Sequence, residues 1–308
     1  MRHTQKGLGR YSYWLFLAPA LLLYVTFRIY PFLDSVALSF YKWNGVPGSP
    51  KVWVGFENYL RILVQEPFAP MWRRAFGHNL IVVGLMLVWS TGMGVLLAWM
   101  LTQIKRGAGF YKTMVFLPNT ISIAVTGFLW SLLLNPQFGA VNFLLKKVGL
   151  GALALPWLGD SKLALPTVIA IQVWHGLGFP VLVALAAMLS VPKEILEAAE
   201  VDGANRFLQF WKITFPIILP NVLNLIALNI TGAFGLFEMV FVMQGAEAGP
   251  FYSTDLLGTL FYRTAFGGMG ATASGMGLGA ALAVVTFLIV IPLSLLLSRI
   301  QRRFQVEV

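Results

Sequence analysis

One uninterrupted apolar stretch, Asn79–Leu101, reads NLIVVGLMLVWSTGMGVLLAWML and contains no charged side chain. A helix needs about 20 such residues to cross a bilayer. A single segment can satisfy all of its backbone hydrogen bonds inside hydrocarbon only as a helix. Five further stretches carry at most one charged side chain each. They are Tyr13–Leu33, Thr113–Leu134, Leu163–Leu189, Phe215–Met243 and Gly275–Ser298. The sequence therefore predicts an all-α, polytopic membrane protein with six transmembrane helices.

The composition agrees with lipid as the solvent for this chain. Hydrophobic residues make up 58% of the sequence, charged residues 11%, and the mean hydropathy is +0.76. A soluble domain carries about 25% charged residues. The net charge of +10 does not indicate a nucleic-acid partner, because the basic residues are scattered between apolar runs and form no stripe. The sequence has no cysteine, which excludes disulfides, thiolate metal sites and a cysteine nucleophile.

The basic residues are unevenly divided between the connecting segments, and this division predicts the orientation. Twelve of the 22 Lys and Arg residues fall in the shorter set of segments, 1–12, 102–112, 190–214 and 299–308. Cytoplasmic segments of membrane proteins carry such an excess, so both termini are predicted to be cytoplasmic. A cleaved signal peptide at the N-terminus is the alternative. It is less favoured, because the apolar run is longer than the usual 7–15 residues and no small-residue cleavage site follows it promptly.

The loop between the fourth and fifth spans, residues 190–214, reads SVPKEILEAAEVDGANRFLQFWKIT. Its composition predicts two short helices. Gly203 suits the left-handed residue that ends a first helix, and Asn205 suits the cap of a second. Pro192 suits a first helical turn.

One face of the first helix in the 190–214 loop is small and apolar with an acid at its end. It consists of Ile195, Ala198, Ala199 and Asp202, spaced at i, i+3, i+4 and i+7. Such a face fits a groove on another protein, with the two backbones close together. An ordinary amphipathic helix lying on the membrane surface is the alternative, but it leaves the choice of alanine unexplained.

The same loop resembles the EAA motif of bacterial ABC-importer permeases, through Glu197-Ala-Ala, Asp202-Gly203-Ala204 and Ile213-Thr-Phe-Pro216. Outside it, the chain resembles the carbohydrate-type permeases related to the maltose and glycerol-phosphate importers. The segments that carry this wider resemblance are Phe116-Leu-Pro118, Asn135-Pro136, Trp157-Leu158, Phe179-Pro180, Phe234-x-x-Phe237-Glu238, Gly277-x-Gly279 and Val54–Tyr59. Two positions depart from the usual pattern, Glu238, where the family has Asp, and the turn Gln244–Pro250. Because of these departures, the resemblance does not identify which solute is transported.

The resemblance implies a single permease domain over residues 1–308, in the cytoplasmic (inner) membrane of a prokaryote. It also implies that the 190–214 loop docks on a dimer of ATPase subunits. The residues implied in coupling are Glu197, Ala198, Ala199, Asp202, Gly203 and Ala204. The implied partners are a second permease subunit, expected to be a different chain, an extracytoplasmic solute-binding protein, a sugar or oligosaccharide, and membrane lipid. The chain itself is expected to bind no cofactor, since ATP and Mg²⁺ would sit on the ATPase subunits.

The sequence holds no G-x-x-x-x-G-K-[ST] phosphate loop, so ATP hydrolysis by this chain is not expected. Three alternatives to a sugar importer remain. One is an importer of the same class for a glycerol-phosphate or polyol-like solute. A secondary transporter is disfavoured, because the spans hold almost no ionisable groups besides Arg28 and Glu238. An intramembrane enzyme is disfavoured, because no nucleophile–base pair is visible.

The solute path is predicted along the fifth span, where Asn224, Thr231 and Glu238 recur every seven residues. Seven helical residues make nearly two full turns, so the three are expected to share one face. A polar stripe on an apolar helix must face protein or water. Flat apolar contacts for a sugar are assigned to Phe234, Phe237 and Trp174. The alternative is that the stripe joins this helix to a neighbour by hydrogen bonds.

Two smaller expectations concern His175 and the start of the sixth span. The three histidines lie far apart in sequence and predict no metal site. His175, inside the fourth span, is expected to be a hydrogen-bonded structural residue rather than a substrate contact. Gly275 and Gly279 form a small-x-x-x-small pair, which predicts close helix packing, with a flexible entry to the span as the alternative.

Overall fold

The computed structural model describes residues 9–104, 106–267 and 275–304. Arg2, Lys6 and Lys105, which contribute to the predicted orientation, lie outside these ranges. The helices and strands are α1 (Gly9–Tyr24), α2 (Tyr30–Leu38), β1 (Tyr41–Lys42), β2 (Val52–Trp53), α3 (Glu57–Leu63), α4 (Phe68–Leu85), α5 (Met93–Thr102), α6 (Ala108–Phe116), α7 (Ile123–Leu133), α8 (Ala140–Lys147), α9 (Ala164–Gly176), α10 (Gly178–Leu189), α11 (Lys193–Val201), α12 (Arg206–Gln209), α13 (Phe215–Phe234), α14 (Glu238–Gln244), α15 (Leu257–Phe266) and α16 (Met276–Phe304). Turns of π-helix join α1 to α2, α4 to α5 and α12 to α13, so each of these pairs is continuous.

Within the described residues, four unbroken helices are long and apolar enough to cross a membrane. They are Phe16–Leu38 (span 1), Phe68–Thr102 (span 2), Arg206–Phe234 (span 5) and Met276–Arg303 (span 6). Two further spans are bent pairs. They are Ala108–Thr120 with Ile123–Leu133, at 94° (span 3), and Ala164–Gly176 with Gly178–Leu189, at 47° (span 4). Counting each pair as one span gives the six that were predicted. Hydropathy does not reveal that spans 3 and 4 are each bent at a break in the helix.

The break in span 3 has a local cause and a partner. Pro118, which has no backbone N–H, lies in the 3₁₀ turn at the end of the first half. Ser122 adopts an extended backbone and caps the second half with its hydroxyl, which accepts a backbone N–H. The carbonyl of Ile121 is thereby left outside the helical ladder, and His175 Nε2 lies 2.8 Å from it. His175 is buried, which confirms its predicted hydrogen-bonded, structural role.

Several predicted span boundaries move, and two of these shifts affect the positions of site residues. Span 2 begins at Phe68 rather than Asn79. The polar residues before Asn79 continue the same helix, and two of them, Arg74 and His78, contact Asp255 of the same chain. Span 5 ends at Phe234 rather than Met243. The residues that follow turn into the separate short helix α14.

Small residues set the closest approaches between helices. A Cβ built on Gly94 of span 2 would lie 2.7 Å from the Pro180 side chain of span 4. A Cβ built on Gly279 would lie 2.6 Å from the Cβ of Ala265 in α15. The predicted close packing at the start of span 6 is confirmed at Gly279. Gly275 instead donates its N–H to the carbonyl of Thr264, at 3.0 Å.

The two ends of the bundle differ in what they carry. The near end, as we call it, holds the 190–214 loop with the last turns of spans 2 and 4 and the first turn of span 5. The far end holds the connections 39–67, 134–163 and 235–267. Among these is the antiparallel pair β1–β2, in which Tyr41 pairs with Trp53. The side chain of Asn58 fixes this hairpin by donating to the carbonyls of Ser39 and Tyr41, at 2.8 and 3.0 Å.

Candidate functional sites

The 190–214 loop folds as its sequence predicts. The first helix is α11, Lys193–Val201, and Gly203 after it is left-handed, with φ +80°. Asn205 caps α12 by accepting the N–H of Leu208, at 2.9 Å. From there the chain runs through a π turn directly into span 5. Any displacement of α12 is therefore passed to span 5 without an intervening flexible joint.

The predicted coupling residues divide by exposure. Glu197, Ala198, Asp202 and Gly203 are exposed, and Ala204 is half-buried. Ala199 is only 8% exposed, because it faces the rest of the chain. Of the predicted face of α11, Ile195, Ala198 and Asp202 are therefore exposed to a partner, and Ala199 is not. Spacing alone misplaced Ala199, because it lies at the boundary between the exposed and buried sides of the helix.

The predicted polar stripe on span 5 is interrupted. The helix ends at Phe234, Gly235 follows, and Phe237 takes a non-helical backbone with φ −143° and ψ −53°. Glu238 then begins α14, where the partial positive charge of the helix start suits an acid. Asn224, Thr231 and Glu238 therefore do not share one helix, which corrects the seven-residue spacing argument. All three side chains remain exposed.

The individual polar residues of span 5 have different neighbours. Asn224 Oδ1 accepts from Gln301 of span 6, at 2.7 Å. Thr231 donates its hydroxyl to the carbonyl of Ala227 in its own helix, at 2.9 Å, and no hydrogen bond joins it to another span among the described residues. Asn229, which the stripe omitted, donates to Thr91 Oγ1 of span 2, at 2.7 Å. Hydrogen bonds therefore connect span 5 to span 2 through Asn229 and to span 6 through Asn224, whereas Thr231 is exposed.

The three aromatic residues assigned to a sugar contact also separate. Phe234 is 4% exposed and packs in the core near Phe76, so it is not available to a solute in this conformation. Phe237 is partly buried, and its ring packs at a tilt against those of Phe241 and Tyr262 at the far end.

Trp174 is different, because 42% of it is exposed. Its ring meets that of Trp130 edge-on at 5.5 Å. Of the three aromatic residues, it therefore offers the most open surface.

A charged cluster at the far end was not predicted. Asp255 is fully buried and pairs with Arg263 of α15, and Arg74 Nη2 of span 2 lies 3.7 Å from the same carboxylate. The ring of Tyr252 lies 4.8 Å from each guanidinium group. His78 Nδ1 lies 2.8 Å from the Asp255 carbonyl. These residues come from segments up to 189 positions apart, from Arg74 to Arg263, so no local sequence pattern predicts the cluster.

Among the described residues, no group of three or more His, Asp or Glu side chains is arranged to hold a metal ion. The far-end cluster has a single carboxylate, that of Asp255, which already accepts hydrogen bonds from Arg263 and Thr259. Three features in the described part of the chain are open to partners: the exposed face of α11, the outward side of span 5, where Asn224 and Thr231 are exposed, and Trp174 of α9.

Comparison with known proteins identifies what this chain is similar to. A model of the family described as binding-protein-dependent transport system inner membrane component matches residues 90–306. The probable ABC transporter permease protein YurN of Bacillus subtilis (strain 168) is 31% identical, over 92% of this chain and 93% of its own length.

Two further relatives carry names that mention a solute. The multiple sugar-binding transport system permease protein MsmF of Streptococcus mutans is 28% identical over 98% of this chain and 99% of its own. The sn-glycerol-3-phosphate transport system permease protein UgpA of Agrobacterium fabrum is 29% identical over 91% of each.

The same fold occurs in a bacterial ABC transporter involved in the import of the acidic polysaccharide alginate. One of its chains superimposes with a TM-score of 0.81 over 96% of both chains, at 24% identity.

Proposed function

Since the chain belongs to the family of binding-protein-dependent transport system inner membrane components, we propose that it is a transmembrane subunit of an ATP-driven importer for a sugar or oligosaccharide. The name of MsmF, which the chain matches over nearly its whole length, supports a sugar as the solute. The name of UgpA supports the second candidate, a glycerol-phosphate or similar polyol derivative.

The lack of basic residues in span 5 and the loop after it favours a neutral sugar over a phosphate ester. From residue 213 to residue 262 the sequence has no Lys or Arg, while Glu238 is exposed at the end of the outward side. A phosphate ester needs cationic or backbone donors along its path, because moving it past a carboxylate in a low dielectric is unfavourable. A neutral sugar needs hydroxyl and amide partners and a flat apolar surface, which Thr231 and Trp174 can offer.

The partners follow from the two open faces. The near end, with its excess of basic residues, is placed in the cytoplasm. There the exposed face of α11 meets one subunit of an ATPase dimer, which holds ATP and Mg²⁺. The outward side of span 5 faces a second permease subunit across the solute path, because polar groups at that depth are not tolerated against lipid. The solute-binding protein delivers its cargo at the far end.

The transport cycle is alternating access. Closure of the ATPase dimer displaces α11, and the continuous connection through α12 passes this displacement to span 5. The path then opens towards the far end and receives the solute. It reopens towards the cytoplasm after hydrolysis. This chain contributes the moving wall and the coupling contact and performs no bond-breaking step.

The proposal is tested with the complete importer reconstituted in liposomes, comprising this chain, its partner permease, the ATPase and the binding protein. Uptake of radiolabelled mono- and oligosaccharides is measured beside uptake of glycerol 3-phosphate, with ATP or a non-hydrolysable analogue inside. We expect sugar uptake that requires hydrolysable ATP. Uptake of glycerol 3-phosphate alone would replace the sugar by the second candidate. Uptake driven by an ion gradient without ATP would reject the importer class.

A further inference from the structure

A cavity of about 330 Å³ lies beneath the 190–214 loop at the near end. Its walls come from the last turns of spans 2 and 4, from α11, and from the first turns of span 5. We propose that this cavity binds the phosphate group of an anionic membrane phospholipid, with the upper part of an acyl chain against its apolar wall.

The lining of the cavity is divided by chemistry. Its apolar wall includes Trp99 and Phe210, whose rings are 5.3 Å apart, together with Met188 and Leu196. Its polar rim holds two cations and one acid, Lys193, Arg206 and Glu200, beside uncharged Thr102, Gln103, Gln209 and Thr214. An apolar wall beside a rim with a net positive charge matches an amphiphile with an anionic head.

The two cations are free to bind an anion. Among the described residues, neither Lys193 nor Arg206 forms a salt bridge, and Glu200 forms none with them. Arg206 Nη1 donates to Gln103 Oε1 at 2.8 Å, which holds the guanidinium group over the end of span 2. Its other N–H groups remain available, and a phosphate oxygen is the partner that a guanidinium group binds best.

The depth of the cavity favours a lipid as the source of the phosphate. Span 2 ends at Thr102, span 4 ends at Leu189, and span 5 begins at Arg206, so the cavity lies where apolar helix gives way to water. Leu189 lines it and is 65% exposed, which leaves the cavity open beside the ends of the spans. Basic pockets between spans on the cytoplasmic side are the usual sites for anionic headgroups.

The face of α11 that lines the cavity is not the face that would dock on an ATPase. Lys193, Leu196 and Glu200 line the cavity, whereas Ile195, Ala198 and Asp202 are exposed and lie outside its lining. The two sets are offset by two residues, or about 200° around the helix, which places them on opposite sides. A bound headgroup therefore supports α11 from beneath without competing for its outer face. Any effect of that support on ATPase coupling rests on the proposed function, but lipid binding itself does not.

The experiment measures lipid binding to the purified complete complex by native mass spectrometry, without ATP or solute. Phosphatidylglycerol is compared with phosphatidylcholine of the same chains, because the net-positive rim selects the anionic head. We expect tighter binding of phosphatidylglycerol. The variant carrying both Lys193→Gln and Arg206→Gln should bind it on the order of tenfold more weakly, since each basic residue near a headgroup contributes severalfold in affinity.

Two further variants keep the result interpretable if the double variant is poorly folded. Glu200→Gln removes the acid from the rim, so it should bind phosphatidylglycerol more tightly, a gain that misfolding does not produce. Lys212→Gln removes a basic residue from the same loop, but one outside the cavity lining, and should bind as the parent protein does. Equal binding of the two lipids by the parent protein, or equal losses in Lys212→Gln and the double variant, would overturn the proposal. Displacement of the lipid by millimolar inorganic phosphate would assign the site to a soluble anion instead.

The measurement separates this proposal from the proposed function, because it uses neither transport nor hydrolysis. A complex that binds phosphatidylglycerol as expected but imports no sugar would contradict only the proposed function. A complex that imports sugar but shows no preference between the two lipids would contradict only the lipid site.

Discussion

The carboxylate of Asp255 receives both terminal nitrogens of Arg263, with Nη2 to Oδ2 at 2.8 Å and Nη1 to Oδ1 at 3.2 Å. Thr259 donates its hydroxyl to the same carboxylate at 2.8 Å, and Arg263 Nη1 also reaches the carbonyl of Ala246, at 3.0 Å. A buried ion pair is stable only when its remaining donors and acceptors are satisfied in this way. The pair therefore joins the loop after span 5 to α15.

Replacing Arg263 with Gln should destabilise the far end, because it leaves the Asp255 carboxylate buried with only the more distant Arg74 opposite it. Removing one partner of a buried pair typically costs about 3–5 kcal/mol. The expected result is a clearly lower thermal midpoint of the purified complex, followed by intrinsic fluorescence. Arg73→Gln is the matched control, since Arg73 is exposed and outside the cluster. Equal midpoints for the two variants would contradict the role given to the pair.

Gly203 allows a test of the 190–214 loop that separates backbone conformation from crowding. A Cβ at this position would meet nothing of this chain within 4 Å, so within the chain the effect of a side chain comes from the left-handed backbone. That conformation costs a residue with a Cβ about 1–2 kcal/mol, and Asn tolerates it best. Gly203→Val should assemble but lose solute-stimulated ATPase activity, and Gly203→Asn should largely retain it. Full stimulated activity in the valine variant would show that the turn is not needed for coupling.

Gly279 tests the packing of span 6 against α15. Alanine is favoured over glycine within a helix by about 1 kcal/mol, so a substitution without neighbours should be neutral or stabilising. Gly84→Ala in span 2 is that case, because its Cβ would have no contact within 4 Å. At Gly279 the new Cβ would overlap Ala265, and overpacking costs about 1–3 kcal/mol. The thermal midpoint should therefore fall for Gly279→Ala and not for Gly84→Ala. The reverse order would refute the packing.

Substitutions in and after span 5 distinguish side chains that line a solute path from side chains that hold helices together. The residues to replace are Asn229, Thr231 and Glu238. Asn229→Ala removes the contact to Thr91 and should lower stability, by about 0.6–1.7 kcal/mol if it resembles other hydrogen bonds between membrane helices. Thr231→Ala and Glu238→Ala remove side chains that contact no other span through an identified hydrogen bond in the described part of the chain. Assembly should be unchanged in these two variants, and sugar uptake or selectivity should change. Failed assembly of both, with normal uptake by the surviving complex, would assign them a structural role only.

Local signals were sufficient for much of the fold and the 190–214 loop. Hydropathy predicted the six spans, and the residue types at Gly203 and Asn205 predicted a turn and a cap that depend only on nearby backbone. The same reasoning failed where periodicity was extended past a break. The spacing from Thr231 to Glu238 fits a helix, yet Gly235 between them is also a residue at which helices end. The pairing of Asp255 with Arg263 and Arg74 could not be predicted from the sequence, because sequence separation does not indicate which buried charges meet.

The bend in span 3 has a consequence for how this chain is made. Its two halves meet at 94°, so when one half follows the membrane normal the other runs along the plane of the bilayer. The second half, Ile123–Leu133, is 11 residues long and extends only about 16 Å, roughly half the depth of the hydrocarbon. Thr120 and Ser122 are exposed at the bend, near the middle of the apolar stretch. Under the proposed function, a second permease subunit would cover this polar bend, so the lifetime of the newly inserted chain in the cell should depend on how much of that subunit is synthesised beside it.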